Sequence, residues 1–380
     1  MNSKNIYNMI RRFFPILMGS LLVLASCATK IDPQPDPAPV PGQGDCLLTV
    51  GFDSAVGTKV ASQTLTNEKA IQNVQIFVFR AGDGGDKGVL EIAASAGFDT
   101  PLGVTEGTYS GITVKCSTGL REVWAVVNDS EDHTAGANAV RTKAEFLALT
   151  HALETSAPSK FLMLGRSNAD QVDPAVLLTE GAVQVTVKVH RMAAAVVLEE
   201  VVNSFDSPAY QRAESFRLDA AYLINVPGRV KYDEAVPVEP SALDASDWYA
   251  KMAAETAGSR AAILYDDLGG AIVNYGSSNT VTHTFYCYPN NCAASEDASW
   301  SPRATVLVLE ASIKYEAGWQ KFYYPVTLTG GIQSNKKYAV RLTVHRPGST
   351  DPNKPVTFND VTPVVTVVDW ETGQSYTPNI

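Results

Sequence analysis

Strict alternation of apolar and polar residues runs through Val183-Gln-Val185-Thr-Val187-Lys-Val189-His190 and again through Val340-Arg-Leu342-Thr-Val344-His345. Successive side chains of a strand point to opposite faces, so each segment turns one face to a core and the other to water. The pattern predicts half-buried antiparallel strands. Shorter runs rich in β-branched and aromatic residues, bounded by Gly, Pro, Asn or Asp, recur at 47–52, 74–79, 122–127, 216–224, 305–309 and 322–326. Turn signals separate them, such as Gly82-Asp83-Gly84-Gly85-Asp86. Many short strands with frequent turns give an all-β sandwich architecture. Helical pattern is sparse. Thr142 with Glu145 three residues on forms a capping box ahead of Phe146, Leu147 and Leu149, predicting a short helix over 143–152. A second is expected over 244–255.

The pattern differs at the start of the chain. Lys4, Arg11 and Arg12 precede an apolar run over 13–25, about thirteen residues and too short to span a bilayer as a helix. The run closes on Leu24-Ala25-Ser26-Cys27, a small residue before a cysteine, as a lipoprotein signal peptidase requires. Residues 1–26 therefore read as a signal peptide and Cys27 as the lipidated first residue of the mature chain; a buried structural cysteine is the bland alternative. Residues 27–45 follow as a tether with five prolines and no apolar periodicity, extended and partly polyproline. The globular part starts near Cys46 and holds about 335 residues, more than one core usually organises, so two domains are expected.

Hydrophobic residues make up 45% of the 380 and charged residues 18%, a composition that builds cores. A formal net charge of -10 without clustered Lys and Arg argues against nucleic acid as a partner. Beyond Cys27 there are Cys46, Cys116, Cys287 and Cys292, and the short spacing of Cys287 and Cys292 suits one local disulfide, with free buried thiols as the alternative. A zinc site would need a second close pair or nearby histidines, so no metal or other cofactor is expected.

Catalytic constellations are missing from the sequence. It has no HExxH, no GxSxG and no P-loop, and Ser110 in Gly107-Thr-Tyr-Ser110-Gly111 is misplaced for a nucleophile elbow. Ser334-Asn-Lys-Lys337 has SxxK spacing but runs into a strand where that chemistry needs a helix. Asp83 and Asp86 read as a hairpin turn and not as a calcium loop, for the Asp/Asn ladder and terminal Glu are absent. His133, His151, His190, His283 and His345 stand singly and read as solvated or edge residues. No enzyme is expected.

Taken in order, several segments resemble the Bacteroidales fimbrillins, the FimA and Mfa type pilins. They are Thr58-Lys-Val-Ala-Ser, Ala70-Ile-Gln-Asn-Val-Gln-Ile-Phe-Val-Phe79, Val123-Trp-Ala-Val-Val-Asn128, Val187-Lys-Val-His-Arg191-Met-Ala-Ala-Ala-Val-Val-Leu198, Ala221-Tyr-Leu-Ile-Asn225-Val-Pro227, Phe285-Tyr-Cys-Tyr-Pro-Asn290, Asn335-Lys-Lys-Tyr338, Asp351-Pro-Asn-Lys-Pro-Val356 and Val364-Val-Thr-Val-Val-Asp-Trp370. Each alone is a strand with a preferred residue; their order, spacing and the lipobox carry the match over nearly the whole chain.

The resemblance implies two transthyretin-like β-sandwich domains, 46–190 and 191–380, in a structural subunit of a cell-surface fimbrium that supports adhesion. Such subunits reach the outer membrane as lipoproteins, and a trypsin-like protease then removes the lipidated segment with the first strand. The groove left behind takes the C-terminal strand of another fimbrial subunit. Carried onto this chain, the cut falls at Lys59 and Val60, where the family typically has arginine before the bond; an ammonium there replaces a planar guanidinium. A subunit left uncut would keep its lipid and act as an anchor or terminal subunit. The removed strand comprises Leu47, Leu48, Thr49, Val50, Gly51 and Phe52, with alternating sides. The donor comprises Val364, Val365, Thr366, Val367 and Val368, with Val365 and Val367 on one face and Pro363 bounding the insertion. The alternative for that segment is this chain's own last strand. A rival from another class is a surface glycan-binding lipoprotein, with Trp248, Trp300, Trp319 and Trp370 as stacking platforms.

Overall fold

The computed structural model describes residues 45–53, 68–105, 108–233, 243–256, 263–357, 359–370 and 375–376. The signal peptide, Cys27, the tether before Asp45, and Lys59 and Val60 lie outside the described residues.

Up to residue 191 the strands are β1 (Asp45–Asp53), β2 (Val74–Arg80), β3 (Leu90–Ala96), β4 (Thr108–Ser117), β5 (Gly119–Val127), β6 (Thr150–Ala152), β7 (Met163–Arg166), β8 (Val176–Leu178), β9 (Gly181–Lys188) and β10 (His190–Arg191). A three-stranded sheet ordered β4-β1-β9 packs on a larger one ordered β10-β7-β5-β2-β3, with β8 beside β5. Leu48, Val50, Phe52, Val114 and Val187 from the first meet Ile76, Val78, Val123 and Val127 from the second in one core.

The remaining strands are β11 (Ala194–Asn203), β12 (Phe216–Ile224), β13 (Val226–Pro227), β14 (Arg229–Lys231), β15 (Trp248–Tyr249), β16 (Tyr265–Ile272), β17 (Ser278–Asn279), β18 (His283–Cys287), β19 (Val306–Tyr315), β20 (Gly318–Thr327), β21 (Lys336–Val344), β22 (Val361–Asp369) and β23 (Ser375–Tyr376). They form a sheet ordered β17-β11-β21-β22-β23, with β18 on β11, and a second ordered β16-β12-β19-β20. Val196, Leu198, Val340 and Leu342 pack there against Leu218, Leu223, Leu307 and Leu309.

The continuous apolar run of β2 has a physical cause. Ile76 and Val78 face the core under β1, while Phe77 and Phe79 face the opposite way into the larger core. A strand covered on both faces needs no polar phase. Phe146 fills that second side, its ring 4.8 Å from Phe77 and 5.3 Å from Trp124.

Phe146 is carried by α1 (Lys143–Ala148), which starts at the expected capping box: the Glu145 amide donates to Thr142 Oγ1 at 3.2 Å and the Thr142 amide to Glu145 Oε2 at 3.2 Å. The helix ends earlier than expected because 150–152 form β6, paired with β14. No α-helix covers 244–255: a 3-10 turn at Ala245–Asp247 leads into β15, which pairs with β13, and Ala250 and Met252 have φ of 48° and 55°. Backbone hydrogen bonds to Val226 and Pro227 outweighed a run of helix-favouring residues. Strand direction also departs from expectation. β9 pairs parallel with β1, and β21 pairs parallel with β11 and antiparallel with β22. Alternation reports one solvated face and carries no information on direction.

Two histidines are buried, contrary to the solvated reading. His133 lies 3.4 Å from the Asp129 carboxylate, and His151 Nδ1 lies 2.7 Å from the Tyr288 hydroxyl. Burial lowers the pKa of His151 to about 4, so it is neutral. Among the described residues no helix is long and apolar enough to cross a membrane.

Candidate functional site

β1 occupies the middle of its sheet. It runs antiparallel to β4, from Asp45 opposite Ser117 to Asp53 opposite Thr108, and parallel to β9, from Cys46 beside Gly181 to Asp53 beside Lys188. Cys46, Leu48, Val50 and Phe52 are each 0% exposed and point into the core, whereas Leu47 is 44% exposed. Burying Leu48, Val50 and Phe52 contributes about 6 kcal/mol of transfer free energy, at about 2 kcal/mol for each side chain. On the outer face Thr49 and Thr113 share a hydrogen bond at 3.0 Å.

Gly111 shapes the fit of β1. The register with β4 shifts between Val50 and Phe52, and Gly111 adopts φ 118° there. A Cβ at this residue would stand 2.3 Å from the Val50 carbonyl oxygen, so glycine permits the close approach. An isolated glycine inside a strand is a signal for such a bulge, but residues 108–117 did not stand out as a strand in the sequence pattern.

Val364–Val368 lies in β22, which pairs along its length with β21 of the same chain. On its other side, among the described residues, β22 meets β23 at Val367 and Val368. Val365 and Val367 pack against the core, while Val364 is 53% exposed. The ladder extends past Pro363, opposite Leu342, to Val361, so this proline does not bound the strand. A proline is tolerated where its missing N–H would face the open side. β1 and β22 thus belong to different sheets and do not pair.

The end of β22 is latched through Glu68. Glu68 accepts from Trp370 Nε1 at 3.0 Å and from the Tyr286 hydroxyl at 2.5 Å. The Trp370 ring stacks on Tyr286 at 5.7 Å and lies under the Arg191 guanidinium at 4.7 Å, while Arg191 Nε donates to the Glu68 carbonyl at 3.1 Å. Arg191 and Trp370 stand within the fimbrillin-like segments, but Glu68 had no local signal. Its partners Arg191, Tyr286 and Trp370 all lie more than a hundred residues away in sequence.

Cys287 is a free thiol, 0% exposed in the core, so the expected Cys287–Cys292 bridge is not formed. The chain turns beyond it: Asn290 pairs with Ile332, and Asn290 Oδ1 accepts from the Cys292 amide at 3.0 Å. The four candidate sugar platforms are dispersed. Trp248 is buried edge-to-face against Trp300 at 5.5 Å, Trp300 donates to Asn225, Trp370 belongs to the latch, and Trp319 stacks under Arg217 at 4.5 Å. Among the described residues no group of three or more His, Cys, Asp or Glu is placed to hold a metal ion.

This nearly all-β fold is similar to that of solved cell adhesion and fimbrial proteins, as the fimbrillin resemblance implied. A proposed cell adhesion protein from Bacteroides eggerthii is 20% identical, with 88% of this chain and 99% of that chain covered and a TM-score of 0.58. One from Parabacteroides distasonis is 16% identical, covering 86% and 100%, at 0.59. A fimbrilin of Porphyromonas gingivalis is 17% identical, covering 86% and 98%, at 0.55. No family model and no curated protein matches the chain.

Proposed function

We propose that this chain is a structural, non-catalytic subunit of a cell-surface fimbrium, with domains at 46–190 and 191–380, and that it assembles by strand exchange. The observation that carries this reading is the seat of β1 between β4 and β9 with four side chains fully buried. Its departure would leave β9 without a ladder partner among the described strands and open an apolar groove. The shared fold of the adhesion and fimbrial proteins supports the same class. Export would proceed through Cys27 as a lipid anchor in the outer membrane, and a trypsin-like protease cutting between Lys59 and Val60 would sever β1 from the rest of the chain. The donor would be Val364–Val368 of a neighbouring subunit, whose Val365 and Val367 repeat the inward spacing of Leu48 and Val50. Of the platforms the glycan-binding alternative would use, Trp248, Trp300 and Trp370 are engaged within the chain, and Trp319 is 36% exposed.

The deciding experiment is the N-terminus and intact mass of the chain from native cells, in the outer membrane fraction and in sheared surface material. A polymerised form beginning at Val60, or nearby beyond β1, is expected. A chain that begins at acylated Cys27 in every fraction would refute processing and strand release.

A further inference from the structure

Cys46 of β1 and Cys116 of β4, both free thiols in this structure, are direct partners in the antiparallel register. Both side chains point into the same core, Cys46 0% and Cys116 7% exposed. Directly opposed residues of an antiparallel pair hold their Cβ atoms about 4.5–5.5 Å apart, within small backbone adjustment of disulfide geometry. The pair joins the strand proposed to leave to a strand that stays.

We propose that Cys46 and Cys116 close to a disulfide in an oxidising compartment and staple β1 to β4, so that cutting the chain behind β1 does not by itself release the strand. The electron acceptor is a disulfide carried by an exchange-active protein or a small thiol compound. The Cys46 thiolate attacks one sulfur of that disulfide and displaces the first thiolate. The Cys116 thiolate then attacks Cys46 Sγ and expels the second, so two thiols are oxidised, the acceptor is reduced to two thiols, and the two protons pass to the departing thiolates. Once β1 is seated, burial raises both thiols, Cys116 to about 12, and leaves little thiolate at neutral pH. Oxidation therefore belongs to folding, before β1 docks, and the closed bond is afterwards shielded from reductants. The bond depends only on the Cys46–Cys116 geometry; its consequence for release rests on the strand-removal reading above.

The test uses the full exported chain, unfolded without reductant, alkylated with N-ethylmaleimide, digested and mapped by mass. The expected product is the Cys46 peptide joined to the Cys116 peptide, lighter by two hydrogens than the unlinked pair. Both cysteines carrying maleimide would overturn the proposal. In a second measurement the chain is cut between Lys59 and Val60 with limiting trypsin. The fragment ending at Lys59 should stay with the body in denaturant and separate on reduction, and in Cys46→Ser it should separate without reductant. Separation of the native fragment in denaturant alone would also overturn the staple. Linked peptides in a chain that cells never cut behind β1 would uphold the staple and refute strand release instead.

Discussion

Replacing Phe52 by alanine asks whether β1 is held by its inward face and opens as a local unit. Phe52 is 0% exposed, stands beside Val187 in the parallel register, and meets the Tyr109 ring at 5.9 Å across β4. Truncating a fully buried phenylalanine costs about 3–5 kcal/mol, the transfer term plus the cavity left behind. At 1.4 kcal/mol per tenfold, the population with β1 detached should rise from about a hundredfold to a few thousandfold. Amide hydrogen exchange followed by mass spectrometry reads this directly, because β9 has no ladder partner but β1 among the described strands. Exchange should accelerate over Gly181–Lys188 and Thr108–Ser117 and remain unchanged over Val306–Tyr315 in the other half of the chain. Leu47→Ala is the control: the side chain is 44% exposed and its loss should cost no more than about 0.5 kcal/mol. An acceleration no larger than the control's would refute the premise that burial holds β1. Equal acceleration over Val306–Tyr315 would refute local opening.

Gly111→Ala should lower stability by at least about 2 kcal/mol, since φ is 118° and the added Cβ meets the Val50 carbonyl; Gly103→Ala, with φ 65° and open space around it, should cost about 1 kcal/mol, and thermal denaturation of the two compares them. Glu68→Gln should cost about 1–3 kcal/mol, since a neutral amide offers one acceptor where Tyr286 and Trp370 now share a carboxylate; a shift in the Trp370 contribution to fluorescence, isolated with Trp370→Phe, reports the loosened latch. His151 makes stability fall in acid. Its folded pKa of about 4 lies below the unfolded 6.5, so the unfolded chain binds the extra proton first; stability is full above pH 6.5 and declines by about 3 kcal/mol as pH falls to 4. In His151→Gln the urea midpoint should vary less over that window, and an unchanged pH slope would show that the group does not titrate as argued.

The strands were legible where burial has a simple period. β9 and β21 announce themselves because one face is core and one is solvent, and the box at Thr142 and Glu145 marks the start of α1 from purely local chemistry. Direction and partner order were not legible, since both depend on which strand lies alongside, and β1 between β4 and β9 joins segments far apart in sequence. The same limit hid the buried histidines. Nothing near His151 in sequence signals Tyr288, whose hydroxyl satisfies it inside the core. The site was legible as segments and illegible as geometry: a strand-like composition and the fimbrillin resemblance marked residues 47–52, and the resemblance marked 364–368, but Glu68 and the Cys46–Cys116 register emerge only once strands are paired. The 244–255 stretch misled because its alanines favour helix, while Trp248 and Tyr249 are drawn into a ladder with β13.

β1 and β22 differ in what their removal costs, and the difference orders the proposed assembly. Withdrawing β22 breaks one full ladder and a two-residue contact with β23, and it uncovers the partly buried face of Val365 and Val367. Withdrawing β1 breaks two full ladders, leaves β9 without a partner among the described strands, and uncovers Leu48, Val50 and Phe52 completely. β4 and β9, each left without a ladder partner among the described strands along an apolar trough, carry a penalty that the loss of β22 does not impose. In the proposed assembly β1 would therefore be the strand whose release needs a covalent event, and β22, held at its end by Glu68 and Arg191, the one that exchanges once a groove is open. On this reading a cut behind β1 sets when a subunit can accept a neighbour, and the sulfur pair at Cys46 and Cys116 sets whether the cut is enough.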